Sequence, residues 1–210
     1  VETAKVNLQK YVEGKLEIKY RLRDWLISRQ RYWGAPIPIV YDPDGNAHPI
    51  PEEHLPWLLP TDVEFRPTGS SPLQLSKELK ERTERIFGKG WYPEVDTMDT
   101  FVCSSWYYLR FADAGNEKMF VSPKAIDKWL PVDAYIGGAE HTVLHLLYAR
   151  FITKVLRDLG YLMFDEPFLK LRHQGLVLAS DKTKKSKRWG NVINPVKKKK
   201  KYGADSLRLY

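Results

Sequence analysis

A strand, a turn, a helix and a second strand, all in the second half of this 210-residue chain, constrain its fold more than any other feature. Residues 132–136 are a short apolar run typical of a strand, and Gly137 and Gly138 favour a turn after it. The pattern over residues 139–159 predicts a long helix, and residues 175–179 predict another buried strand. Two strands joined by a crossover helix are typical of a parallel sheet. We therefore predict an α/β fold that binds ligands at the strand ends.

The rest of the chain is less regular and suggests a division into parts. An alternating stretch at residues 15–20 resembles a strand, residues 22–32 suit a helix or a turn, and residues 37–41 predict a short apolar strand. Prolines and turn pairs dominate the next fifty residues, where one helical stretch near residues 73–86 stands out. We predict three regions, which are an N-terminal part at residues 1–41, a loop-rich insert at residues 42–93 and an α/β half-domain at residues 94–210.

Composition and charge exclude several classes of protein. The chain is 43% hydrophobic, which is enough for a core, and no apolar run reaches the roughly 20 residues that span a bilayer. We expect a soluble cytoplasmic protein with no membrane partner. Its single cysteine, Cys103, excludes an internal disulfide and makes a thiolate metal site improbable. Ten Lys or Arg and no acid lie between Lys182 and Lys201, which favours phosphate binding or simply a solvated tail.

The first group with chemical potential follows the predicted strand at residues 132–136. Gly137 and Gly138 would let the backbone approach a ligand closely, and Glu140 could accept hydrogen bonds from a ribose diol. His141 and His145 are four residues apart and would project from one helix face. A zinc site would need a third ligand, and none is apparent. A pair of hydrogen-bonded histidines at the edge of an apolar stripe explains them equally well.

A second group is the lysine loop at residues 184–188. Ammonium groups on such a loop can follow a triphosphate and neutralise the charge that develops as pyrophosphate leaves. A generic anion patch is the alternative. After the loop, Asn194 and Pro195 predict the N-cap and first position of a short helix.

Two further groups combine aromatic with polar side chains. Phe101, Ser104 and Tyr107 follow helical spacing and suit either one wall of a pocket for a small aliphatic amino acid or an ordinary buried helix. Arg29 and Arg31 alternate with other polar and aromatic residues. Such a segment can bind phosphates and unpaired bases, or form a surface ion-pair cluster.

In this order the segments resemble class I aminoacyl-tRNA synthetases, and specifically the leucyl-tRNA synthetases. Residues 23–34, which read RDWLISRQRYWG, are similar to the segment that re-enters the catalytic core after the editing domain. Residues 96–111 and 135–151 resemble the leucine-specific members, and the likeness continues through residues 173–175 and 202–208. The resemblance implies the second half of a Rossmann-like catalytic domain. It also implies ATP-dependent activation of leucine and its transfer to tRNA(Leu).

The resemblance further implies roles for individual residues. The leucine pocket would be lined by Phe101, Ser104, Tyr107, His141 and His145. ATP, with Mg²⁺, would contact Gly137, Gly138, Glu140, Gln174, Val177 and Ser186. Lys184 and Lys187 would hold the phosphates as the catalytic pair, and Arg29 and Arg31 would face the acceptor end of tRNA. No structural zinc is expected, because the insert has no cysteine.

The chain departs from the family pattern in places. Its lysine loop has Lys185 where the family usually has Met and Arg188 where it usually has Ser. The His-Ile-Gly-His motif, which clamps ATP from the other side in the family, is absent from these residues, so we expect the ATP site to need an N-terminal half as a partner. Two other functions stay open, which are a non-catalytic RNA or anion binder of the same fold and an isoleucine or valine enzyme.

Overall fold

A computed structural model describes residue 7 and residues 11–12, 17–19, 23–66 and 69–209. The chain divides into two compact units, Val1–Asp99 and Thr100–Tyr210. The predicted strand at residues 15–20 falls largely outside the described residues. The three regions predicted from the sequence, with boundaries at residues 41 and 93, stay a prediction.

Small antiparallel sheets form the framework of the first unit. Its strands are β1 (Ser28–Arg29), β2 (Ile39–Tyr41), β3 (Ala47–Pro49), β4 (Tyr92–Pro93) and β5 (Thr97–Met98). Strand β2 lies between β3 and β4, and β1 pairs with β5. The predicted strand at residues 37–41 is confirmed in shorter form. The described residues 23–32 contain no helix, since β1 and the bends after it occupy that stretch.

Helix α1 (Lys77–Phe87) confirms the helical stretch predicted in the insert. The Ser76 side chain accepts a hydrogen bond from the Leu79 N–H and so caps the first turn. Gly88, with φ 117°, follows the last turn in a conformation that side chains disfavour. The helix buries Leu79 and Thr83, one turn apart, and Leu79 belongs to a core formed with Val40, Ile50, Trp57 and Leu73.

The described residues of the second unit form six helices and a parallel pair of strands. The helices are α2 (Thr100–Ser104), α3 (Tyr107–Ala112), α4 (Pro123–Trp129), α5 (His145–Asp158), α6 (Pro195–Tyr202) and α7 (Ala204–Leu209). Strand β6 (Tyr135–Gly137) pairs in parallel with β7 (Leu171–His173), and α5 lies between them in the chain. The α/β prediction is therefore confirmed. Short 3₁₀ turns occur at Glu52–His54, Pro72–Leu75, Ala139–Thr142 and Lys187–Trp189.

Two details of the predicted strand–helix–strand unit are wrong. The strand that pairs with β6 is β7, and residues 175–179 form no strand beyond a single bridge from Leu178 to Lys184. The helix predicted over residues 139–159 is also broken. Leu144 has ψ −107°, outside the helical region, so a 3₁₀ turn precedes α5 and His145 is the first residue of α5.

The core of the second unit is apolar and lies between α3, α5 and the segments around Val121 and Leu162. Helix α5 buries Leu146, Ala149 and Thr153. The sequence predicts an apolar stripe through Val143, Leu147, Phe151 and Val155, but Val143 and Phe151 are exposed and Leu147 and Val155 are only half-buried. No described helix is long and apolar enough to cross a membrane.

Candidate functional site

The turn after β6 brings a carboxylate to the carboxyl ends of the parallel strands. A Cβ atom on Gly138 would lie 2.5 Å from Oε2 of Glu140, so a side chain there would displace the Glu140 carboxylate from its position over the turn. The pKa of Glu140 is lowered, first by a hydrogen bond from its own backbone N–H and then by the charge of Lys184. Glu140 therefore offers an ionised acceptor at this edge of the sheet.

The lysine loop reaches the same turn. Nζ of Lys184 lies 3.7 Å from Oε1 of Glu140, in a pair whose side chains are both more than 40% exposed. Because both side chains are exposed, this ion pair is weak. A ligand with an anionic group for Lys184 and a hydroxyl group for Glu140 can therefore separate the pair at little cost in free energy. The backbone N–H of Gln174 donates to the carbonyl oxygen of Gly137 at 3.1 Å. Gln174 and the lysine loop, which both follow β7 in the chain, thus approach the Gly-Gly turn.

A cluster of rings surrounds His145 beside this turn. The ring centroid of His145 lies 5.6 Å from that of Tyr107, 5.6 Å from that of Tyr135 and 6.3 Å from that of His141. Phe168 adds a fourth neighbour at 6.4 Å. His141 directly follows Glu140 in the chain, so the ring cluster and the Glu140 carboxylate share the turn after β6.

The ring cluster and helix α2 contain buried polar side-chain atoms that lack a hydrogen-bond partner among the described residues. Oγ of Ser104, Nδ1 of His141 and both ring nitrogens of His145 have no hydrogen-bond partner among the described residues. Leaving such atoms unpaired is costly, so native proteins reserve them for water, ions or ligands. The arrangement is suited to a small ligand that has both an apolar part and polar ends.

Helix α2 forms another side of the cluster. It packs against α5, and the Phe101 ring stacks on Tyr148 of α5 with centroids 5.1 Å apart. This contact positions the helix that carries Ser104. Of the five residues predicted for the leucine pocket, Phe101 and Ser104 lie on α2, Tyr107 begins α3 and His145 begins α5. The fifth, His141, lies on the 3₁₀ turn before α5.

Burial makes the second unit sensitive to acid through His145. Desolvation, and then the charge of His141, lower the pKa of His145 below its ordinary value of 6.5. As the pH falls, His145 is protonated in the unfolded chain before it is protonated in the folded protein. We therefore expect the free energy of unfolding to decrease progressively below about pH 6.5. Urea unfolding at about pH 7.5 and pH 5.5 measures the loss. The variant His145→Gln should lose less stability between the two, and an identical loss in both proteins would contradict this role.

The two predicted tRNA-binding arginines lie in the first unit and are anchored to the protein. Nη2 of Arg29 lies 3.2 Å from Oδ1 of Asp99, whose other oxygen accepts a hydrogen bond from the Trp25 indole. Nη2 of Arg31 donates to the Met98 carbonyl at 3.3 Å. Arg31 also lines a cleft of about 710 Å³ together with the exposed Trp33.

Comparison with known proteins decides the family. The family described as tRNA synthetases class I (I, L, M and V) matches residues 13–210. The chain belongs to the class I tRNA synthetases. The resemblance to class I aminoacyl-tRNA synthetases, predicted from the sequence, is therefore confirmed.

Among its relatives, this synthetase chain is similar to proteins named leucine–tRNA ligase. It is 56% identical over 197 residues to the protein of Clostridium perfringens strain 13, covering 94% of this chain and 24% of the relative. It is 58% identical over 200 residues to that of Caldanaerobacter subterraneus subsp. tengcongensis, with the same coverage. The synthetase chain thus spans about a quarter of the length of these relatives.

A solved structure gives the same answer for the fold. The synthetase chain superposes with a TM-score of 0.84 on the crystal structure of the ternary complex of Agrobacterium radiobacter K84 agnB2 LeuRS-tRNA-LeuAMS. The two chains are 43% identical, and the match covers 99% of this chain and 27% of that one.

The remaining predicted site residues of the synthetase chain are spread along the loop. Ser186 caps the turn Lys187–Trp189, since its Oγ accepts from the Arg188 N–H, while its own N–H donates to Asn191. Lys187 is exposed. Val177 was predicted to lie on a buried strand, but it is 71% exposed and its carbonyl accepts from the Lys185 N–H. The structure thus brings Lys184 and Gln174 to the Gly-Gly turn and leaves Val177 on an exposed segment.

Two residues of the ring cluster, Tyr135 and Phe168, were not predicted from the sequence. Tyr135 is the first residue of β6, and its position just before the Gly-Gly turn is a signal that could have identified it. Phe168 precedes β7 and contacts Tyr135 at 4.9 Å between centroids. Nothing in the local pattern separates Phe168 from an ordinary core phenylalanine. The part of the synthetase chain that the structure describes contains no group of three or more His, Cys, Asp or Glu side chains placed to hold a metal ion.

Proposed function

We propose that this chain supplies the leucine pocket and the phosphate-binding loop of a cytoplasmic leucine–tRNA ligase. One observation carries the proposal, namely that the ring cluster, with its buried and unpaired polar atoms, includes His141, which directly follows Glu140 of the Glu140–Lys184 pair. The first feature suits an amino acid and the second suits a nucleotide. The names of the relatives support the combination.

In this proposal leucine binds in the ring cluster. Phe101, Tyr107 and His145 provide apolar and aromatic contacts for a γ-branched side chain, while Ser104 and His141 offer hydrogen bonds to its polar ends. The lowered pKa keeps His145 neutral, so the pocket does not repel the leucine ammonium group. A pocket of this kind separates aliphatic side chains by only about 1–3 kcal/mol, so shape alone gives limited selectivity.

ATP binds across the Gly-Gly turn and the lysine loop in this proposal. Gly137 and Gly138 let the nucleotide approach the backbone, and Glu140 accepts hydrogen bonds from the ribose. Gln174 and Val177 border the adenine, and Ser186 adds a contact on the loop. Lys184 and Lys187 neutralise the phosphates as pyrophosphate leaves. Mg²⁺ arrives with the phosphate oxygens, which suits a metal that seldom needs a dedicated protein cage.

Two transfer steps then complete the reaction. A carboxylate oxygen of leucine attacks the α-phosphorus of ATP, and pyrophosphate leaves with the electron pair of the broken P–O bond. A terminal ribose hydroxyl of tRNA(Leu), near Arg29 and Arg31, next attacks the leucyl carbonyl and releases AMP. No side-chain nucleophile is needed, because positioning and charge neutralisation supply most of the rate. We propose that the His-Ile-Gly-His motif comes from sequence outside these 210 residues.

Binding of a non-hydrolysable leucyl-adenylate analogue tests the proposal on the 210-residue chain and, because the ATP site is expected to need an N-terminal half, on the Clostridium perfringens leucine–tRNA ligase with this chain in place of the matching 197 residues. Saturation at about 100 times the dissociation constant should stabilise the folded state by about 3 kcal/mol, measured as a shift in thermal unfolding. The isoleucyl and valyl analogues serve as matched controls and should give smaller shifts. A larger shift with the isoleucyl or valyl analogue than with the leucyl analogue would favour the isoleucine or valine enzyme. If none of them shifts the transition, the leucine–ligase proposal fails and the non-catalytic RNA binder gains support.

A further inference from the structure

Helix α6 carries five consecutive lysines at residues 197–201, and the proposed reaction uses none of them. Asn194 caps this helix through a hydrogen bond from the Val196 N–H, and Gly203 follows its end with φ 86°. The predicted N-cap is thus confirmed. All five lysines are exposed or half-exposed. Among the described residues none of them forms a salt bridge, and the sequence between residues 182 and 201 has no acid.

Helical geometry separates these lysines into different faces. At 100° per residue, Lys197, Lys200 and Lys201 fall within one third of the helix circumference, whereas Lys199 points the opposite way. We call these three residues the lysine face. Nζ of Lys201 lies 4.9 Å from the ring centroid of Tyr202, next to it. The exposed helix therefore presents three ammonium groups on one face, and the aromatic ring of Tyr202 lies at its carboxyl end.

The helix places these cations close together without neutralising them. Spacings of three and four residues bring like charges into repulsive contact on the helix surface. The negative end of the helix dipole near Tyr202 offsets only part of this repulsion. A polyanion bound along the lysine face would offset the remaining repulsion between the ammonium groups. It would also release its own condensed counterions, which favours binding.

We propose that the lysine face binds the phosphodiester backbone of RNA, as a contact separate from the lysine loop and from Arg29 and Arg31. The identity of the RNA as tRNA rests on the proposed function. An anionic membrane fits less well, because interfacial helices need an apolar face and α6 offers only Val196 and Tyr202 beyond its first proline. Contacts to phosphate carry no sequence information, so the lysine face raises affinity for any RNA strand that reaches it.

Salt dependence of RNA binding by the 210-residue chain tests the inference. A fluorescent tRNA transcript is titrated with the wild type and with the triple variant Lys197→Gln/Lys200→Gln/Lys201→Gln. Removing one phosphate-binding lysine should reduce the slope of log K against log salt by about 0.7, and removing all three should reduce it by about 2. The affinity ratio of wild type to variant should then be about 15 times larger at about 50 mM salt than at about 200 mM. Gln and Lys have similar helix propensities, so α6 should persist, as circular dichroism can verify.

Matched controls separate a local contact from a change in net charge. The variant Lys77→Gln/Lys80→Gln/Arg85→Gln removes the same charge from exposed positions of α1 and should retain most of the slope. Replacing the lysine face by three arginines should keep the wild-type slope. Equal slopes in the two Gln variants, or no binding of RNA by the wild type, would overturn the inference. The leucyl-adenylate analogue reports on the proposed function in the same proteins, so the two failures are distinguishable.

Discussion

Replacing Lys184 by Ala should slow leucyl-adenylate formation by about 10²–10³-fold, which is the usual effect of losing one preorganised group that stabilises transition-state charge. The reason is its position, since its ammonium group lies 3.7 Å from the Glu140 carboxylate that we propose to hold the ribose. The measurement is leucine-dependent ATP–pyrophosphate exchange. A suitable enzyme is the Clostridium perfringens leucine–tRNA ligase with the present chain in place of the matching 197 residues.

A neighbouring lysine provides the control for this variant. Lys182 is exposed on the same loop, and Lys182→Ala removes an equal charge without touching Glu140. We expect it to change exchange by less than about threefold, as is common for exposed surface charges. If Lys184→Ala and Lys182→Ala slowed exchange equally, the effect would be one of general charge, and the assigned role of Lys184 would be wrong.

The variant Leu109→Ala should destabilise the second unit by about 2–5 kcal/mol. Leu109 is 0% exposed and packs in the core formed with Tyr108, Val121, Ala149 and Leu162, so its removal leaves a cavity lined by rigid neighbours. Chemical denaturation measures the change. The control is Leu169→Ala, because Leu169 is 61% exposed and should cost within about 0.5 kcal/mol. A similar loss for the two variants would contradict the assignment of this core.

The ring cluster shows which parts of the site were predictable. His141, His145 and Tyr107 were identified from their spacing and from the family resemblance, and the structure brings all three together. Tyr135 and Phe168 complete the cluster from separate strand ends, about thirty residues apart in the chain. Their contribution depends on the parallel pairing of β6 with β7, which no local pattern specifies.

Arg29 illustrates the same limit in the first unit. Its place in an Arg-rich, aromatic segment suggested either RNA contact or a surface ion-pair cluster. The observed partner is Asp99, seventy residues later, because the pairing of β1 with β5 brings the two together. The charge pattern predicted that an ion pair was possible, while the partner depended on tertiary structure.

The sequence by itself determined the α/β class, the cap of α6 at Asn194, the Gly-Gly turn and most of the residues around it. These features depend on steric limits and hydrogen bonds within a few residues, so local patterns reveal them. Only the tertiary structure decided that residues 171–173 pair with β6, that Leu144 interrupts the helix before His145, and that Lys184 meets Glu140. Each of these depends on competition between segments far apart in the chain, where similar apolar runs have similar local preferences and packing selects among them.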